Sequence, residues 1–156
     1  MTTSTEGVIE LERRIAARPE TVFGFFTDAD RYRRWQGADA ELDPRPGGIF
    51  RVRVTGQSQM IASGHFLVVE PPERVVFTWG WEDNDALAGM HLPPGSSRVE
   101  VEFVPDGDGT IVRLRHSGLA TVPMCQFHTG GWTLSLDRLV LVVEGRDPGP
   151  DPLANL

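Results

Sequence analysis

The 156-residue chain contains no lysine and only one cysteine, and its longest apolar run, Leu139 to Val143, is far short of a bilayer span. No membrane insertion is therefore expected. The amino terminus, Met1 to Gly7, has neither the basic nor the apolar region of a signal peptide. Cys125 has no partner for an internal disulfide, so nothing calls for an oxidising compartment and a cytoplasmic location is expected. All fifteen basic residues are arginine, which we read as base-composition bias in the source genome rather than a device for gripping phosphate. The formal net charge of -7 and a sequence pI near 5.0 exclude nucleic acid and anionic lipid as the expected main partner, because either would be repelled.

Signatures of well-known chemistries are missing as well. There is no Gly-x-Ser-x-Gly elbow, Walker loop or dinucleotide fingerprint. The four histidines, His65, His91, His116 and His128, do not pair at the i, i+4 spacing of a helical zinc site, so neither a metal nor a cofactor is expected. Glu82, Asp83 and Asp85 make a carboxylate-rich stretch that a solvated loop explains as well as chemistry does. No Ser/Gly-rich or charged linker divides the chain. One domain is expected over residues 8–145, between a flexible segment 1–7 and a disordered or loosely packed, proline-rich tail 146–156.

What is present is periodicity. Val8 to Ala17 reads as a half-exposed strand. Pro19 then opens a short helix carrying Val22, Phe23, Phe25 and Phe26, and Asp28 to Trp35 gives a second, ended by Gly37. From Ala38 onward the period becomes two. Phe50, Val52 and Val54 alternate with Arg51 and Arg53; Met60 to Glu70 forms a longer strand with Gly64 as a site for a bulge or bend; Val75, Phe77, Trp79 and Trp81 share one face. Residues 98–116 form a hairpin about Asp106-Gly107-Asp108-Gly109, its outer acids facing arginines. Met124 to Gly145 reads as one long helix with Trp132, Leu136, Leu139, Val140 and Val143 on a single stripe.

This order of elements, with Ala17-Arg18-Pro19-Glu20-Thr21-Val22-Phe23, Arg45-Pro46-Gly47-Gly48-Ile49-Phe50, Gly64-His65-Phe66, Pro71 to Trp79, Thr110 to Leu119 and Gly131-Trp132, resembles the START/Bet v 1-like (SRPBCC) helix-grip superfamily. Within it the chain is most similar to the activator of Hsp90 ATPase homologue 1-like family. The resemblance implies an α+β fold in which a curved antiparallel sheet of six to seven strands wraps around the long C-terminal helix, leaving a cavity between them.

By alternation, the inward set contains Phe50, Val52, Phe66, Phe77, Trp79, Trp81, Val101, Phe103, Leu114 and His116. Phe127, His128, Gly131 and Trp132 join it from the helix, and Trp35 from the short helices. A plain core would explain each of these singly. Gly130 and Gly131 favour a pocket, since each costs a helix roughly 1 kcal/mol and leaves room beside Trp132. A dry cavity of about 300 Å³, the low end for a small-ligand site, would cost roughly 7 kcal/mol, so partial collapse or an occupant is expected. The leading reading is a non-enzymatic carrier or sensor of a small apolar or aromatic ligand, monomeric or homodimeric. The alternatives are a cyclase, dehydratase or hydrolase acting on a polyketide-like or aromatic substrate through His116 and His128, or a co-chaperone-like interaction module.

Overall fold

In the computed structural model, residues 3–5, 7–54, 60–82 and 90–152 are described, residues 3–5 by their backbone alone. The period-two segments form antiparallel strands: β1 (Thr3–Thr5), β2 (Val8–Ile15), β3 (Asp39–Leu42), β4 (Ile49–Arg53), β5 (Ile61–Glu70), β6 (Arg74–Trp79), β7 (Ser97–Asp106) and β8 (Gly109–Ser117). They join in the order β1-β2-β8-β7-β6-β5-β4-β3. Seven make up the expected sheet, and the three-residue β1, in the segment read as flexible, extends one edge by pairing with β2. The chain crosses from β2 to β3 through α1 (Pro19–Thr27) and α2 (Ala29–Tyr32). The last element, α3 (Val122–Val143), lies across the sheet. The fold is α+β, of helix-grip type.

Local chemistry accounts for the helix ends. Pro19 occupies the first turn of α1, where a missing N–H costs nothing. Asp28 starts α2 by accepting the N–H of Asp30 at 3.0 Å. Helix α3 begins two residues before the expected Met124 because Thr121 caps it, its hydroxyl accepting the N–H of Met124 at 3.2 Å. Two contacts then tie α3 and its C-terminal cap to β2 and its exit: Arg13 donates to Asp137 at 2.9 Å, and the N–H of Ala16 to Glu144 Oε2 at 2.8 Å.

The β7–β8 hairpin has the expected alternation. Val99, Val101 and Phe103 are buried, as are Val112, Leu114 and His116 opposite them. Acids stand opposite arginines in register, Glu100 with Arg115 and Glu102 with Arg113. The ion pairs run the other way, however, from Arg113 to Glu12 and Arg115 to Glu10 on β2. All are exposed and screened, so they contribute little to stability.

Gly64 is not the bulge. The register shift lies later, between Phe66 and Val68. A methyl on Gly64 would collide with the backbone oxygen and Oγ1 of Thr78, so this glycine allows a close crossing of backbones. Gly64→Ala is expected to cost about 2 kcal/mol or more, at the level of core overpacking, seen as a lower urea midpoint with unchanged slope.

Candidate functional site

The end of β6 and the first half of α3 face each other across a cluster of indoles and imidazoles. Trp79 packs tilted on Trp132 at 5.1 Å between centroids and edge-on to Trp81 at 5.3 Å. Beside them His116 on β8 and His128 on α3 meet edge-to-face at 5.0 Å. Both histidines are buried.

The hydrogen bonds around this pair fix both tautomers. Ser97 Oγ donates to the carbonyl of Trp79 at 2.7 Å, so its contact with His116 Nε2 at 2.8 Å has the imidazole as donor. His116 Nδ1 is then free to accept the indole N–H of Trp132 at 3.1 Å. On the helix, His128 Nδ1 donates to the carbonyl of Met124 at 2.7 Å, and its Nε2 accepts the indole N–H of Trp81 at 3.0 Å. Each imidazole thus donates once and accepts once, in the neutral form. Burial holds His116 well below its ordinary pKa, with the neighbouring His128 adding to the effect. Burial also lowers His128, partly offset by its bond to Met124. Acid–base work by either ring would first require breaking a tryptophan hydrogen bond.

A cavity of about 110 Å³ lies next to this network. Of the residues expected on its wall, the structure brings together Trp79, Trp81, Phe127, His128, Gly131 and Trp132. The mouth is marked by Phe127 and Leu134, each about 40% exposed. A methyl on Gly130 or Gly131 would meet nothing within 4 Å, but only Gly131 stands on the cavity wall, and Gly130, expected to leave room beside Trp132, is exposed and off it.

The other expected wall residues are elsewhere. Phe50 stacks on Phe77 at 4.0 Å, and Phe66 packs edge-on to Phe50 at 5.7 Å. Phe103 meets Phe23 and Phe26 of α1, and Trp35 lies against Phe26 and Tyr32 while donating to the carbonyl of Phe25 at 2.8 Å. Val52, Val101 and Leu114 are buried in the same core. His116 sits behind Trp132 and off the wall. Rings from α1 and α2 pack on Phe103 and Phe50, Phe50, Phe66 and Phe77 pack on one another, and among the described residues the remaining cavity lies beside Trp79 at the end of β6. At about 24 cal/mol per Å³, the remaining void costs about 3 kcal/mol if dry, less than half the cost of the space first expected.

Five wall residues escaped the sequence reading: Gln36, Val54, Met60, Leu134 and Ser135. Gln36 and Ser135 form a polar rib, buried and joined by a 3.0 Å bond from Gln36 Nε2 to Ser135 Oγ, with Tyr32 donating to Gln36 Oε1 at 2.5 Å. Burial pushes the Tyr32 hydroxyl well above its ordinary pKa, keeping it a donor. Ser135 lies three residues after Trp132, a helical spacing that places both on one face. No comparable signal marks Gln36. Glu82 is paired with Arg51 at 2.8 Å, and Arg51 holds its carboxyl below the usual range; Asp83 and Asp85 lie outside the described residues. Among the described residues, no three of His, Cys, Asp and Glu gather as a metal site requires, and no helix is long and apolar enough to cross a membrane.

Comparison with known proteins agrees with this architecture. No curated protein matches the chain. Among solved structures, an AHSA1-like protein from Rhizobium etli is 43% identical, covering 93% of this chain and 86% of its own, with a TM-score of 0.71. CalU16 from Micromonospora echinospora is 28% identical in its crystal structure, covering 87% of this chain and 75% of its own, with a TM-score of 0.68. A Chromobacterium violaceum protein, 24% identical over 90% of this chain and 99% of its own, shares the fold with a TM-score of 0.77. The family model described as activator of Hsp90 ATPase homolog 1-like protein matches residues 16–144. The chain belongs to that family, whose SRPBCC helix-grip fold typically holds small hydrophobic ligands.

Proposed function

We propose that this protein binds one small apolar or aromatic molecule in the cavity between β6 and α3, as a carrier or sensor without turnover. A cytoplasmic monomer or homodimer fits that role. One observation carries the reading: the described wall is aromatic and aliphatic with a single polar rib, and no charged side chain stands on it. The engaged nitrogens of His116 and His128 weigh against the cyclase or hydrolase alternative, because neither ring has an idle donor or acceptor for a substrate.

The test is a thermal-shift series with benzene, toluene, indole and naphthalene, read alongside tryptophan fluorescence. Three of the four tryptophans line the cavity, so an occupant changes the emission directly. At a hundredfold excess over Kd, binding adds about 2.7 kcal/mol, which corresponds to about 5–10 °C in Tm for a domain of this size. No change in either signal across the series would refute the reading.

A further inference from the structure

Three of the four indoles donate to protein acceptors: Trp35 to Phe25, Trp81 to His128 and Trp132 to His116. Trp79 does not. Its Nε1 is buried and has no hydrogen-bond acceptor, although the residue, only 2% exposed, lines the cavity. A buried N–H left unpaired costs as much as a lost hydrogen bond, and native proteins rarely leave one so. Around it stand aromatic rings, Phe50, Trp81, His116 and Trp132, whose polar atoms, where they have any, are committed to other partners.

We infer that the ligand supplies the missing acceptor: it is a neutral ring compound bearing a carbonyl or similar oxygen, to which Trp79 Nε1–H donates. This rests on the cavity being a ligand site. Neutrality follows from the wall. A carboxylate or phenolate would lose its water with no arginine to replace it, and an amine would meet no carboxylate among the described wall residues. Size follows from the volume: a cavity of about 150 Å³ takes up benzene, so about 110 Å³ limits the enclosed part of the ligand to one ring at most, with anything larger extending out between Phe127 and Leu134. Gln36 and Ser135 give a second polar group on the ligand a place to bind, whereas Trp79 selects for the oxygen.

Cyclohexanone and methylenecyclohexane have nearly the same shape and differ in one acceptor, C=O against C=CH2. Their affinities are measured by calorimetry for the wild type and for Trp79→Phe, which keeps an aromatic ring but has no N–H. Comparing ratios cancels the different hydration of the two probes. The ketone-to-alkene affinity ratio is expected to fall about tenfold in the variant, the equivalent of one buried hydrogen bond. In the wild type, ketone but not alkene is expected to move the Trp79 indole proton downfield in a nitrogen-15 spectrum, and this decides the matter even if the variant fails to fold. A ratio unchanged within twofold, or an unmoved Trp79 signal with ketone bound, overturns the inference while leaving apolar binding intact; that is the result if water or a ring face already satisfies the N–H. Binding of neither probe, with no response in the aromatic series, overturns both readings.

Discussion

Trp132→Ala is expected to lower the free energy of unfolding by about 4 kcal/mol or more, and added indole is expected to restore part of the loss. Removing a buried Trp side chain costs about 3–5 kcal/mol through lost burial and the void left behind. The indole also satisfies His116 Nδ1 at 3.1 Å, and an orphaned buried acceptor adds about 1–3 kcal/mol. Against a typical domain stability of about 5–15 kcal/mol, such a variant is close to unfolding at room temperature. Two companions divide the effect. Trp132→Phe keeps a six-membered ring but loses the donor and the fused five-membered ring, so the orphaned acceptor contributes about 1–3 kcal/mol and a void smaller than that of the alanine variant adds to it. Leu136→Ala, one turn along the same buried face but off the cavity wall, should cost about 2–5 kcal/mol with no recovery by indole. Urea unfolding with and without indole measures all three. A loss below 2 kcal/mol for Trp132→Ala would show that the first half of α3 is not held by this ring, and absence of recovery would show that the space collapses.

The fold was legible because its period changes are strong. Val99, Val101 and Phe103 alternate with Arg98, Glu100 and Glu102 in a way only a half-buried strand satisfies, and the stripe from Trp132 to Leu139 has helical spacing. The start of α3 was missed by two residues, because the apolar stripe pointed to Met124 and the capping signal in Thr121 and Pro123 went unused. The site was harder for a physical reason. Alternation reports which face of a strand a residue occupies, and both a filled core and an open cavity lie on the same face. Phe77 and Trp79 are two residues apart on β6; the first is covered by Phe50 of β4 and Phe66 of β5 while the second borders the void, and only the tertiary packing separates them. The hydrogen bonds were less legible still. A hydrophobic scale treats Trp79 and Trp81 alike, yet one indole is bonded to His128 and the other has no acceptor. Gln36 comes onto the wall from a turn after α2, where neither period applies.

Stability is expected to fall as pH drops below about 6.5, by about 1.4 kcal/mol per pH unit for each of His116 and His128 that stays neutral in the folded protein. The sign follows from burial. Both imidazoles have folded pKa values below the ordinary 6.5, so under acid the unfolded chain takes up protons that the folded chain refuses. Their contribution is complete above that value and is lost on the way down. Protonation would also turn His116 Nδ1 and His128 Nε2 into donors facing the indole N–H groups of Trp132 and Trp81, two donors against each other. The second proton is opposed further, because the rings lie 5.0 Å apart. Carboxylates do not obscure the window: Glu82, held down first by its bond to Arg51, and Glu144, by the N–H of Ala16, lose their contribution only as pH falls below about 4.5. Urea unfolding between pH 7.5 and 5.0 reads the slope. In the His116→Gln, His128→Gln double variant the slope should flatten, since an amide can accept from an indole and donate to Ser97 or Met124 without titrating. A wild type equally stable at pH 7 and 5, or a slope that survives both substitutions, would show that these histidines are not the groups that resist protonation.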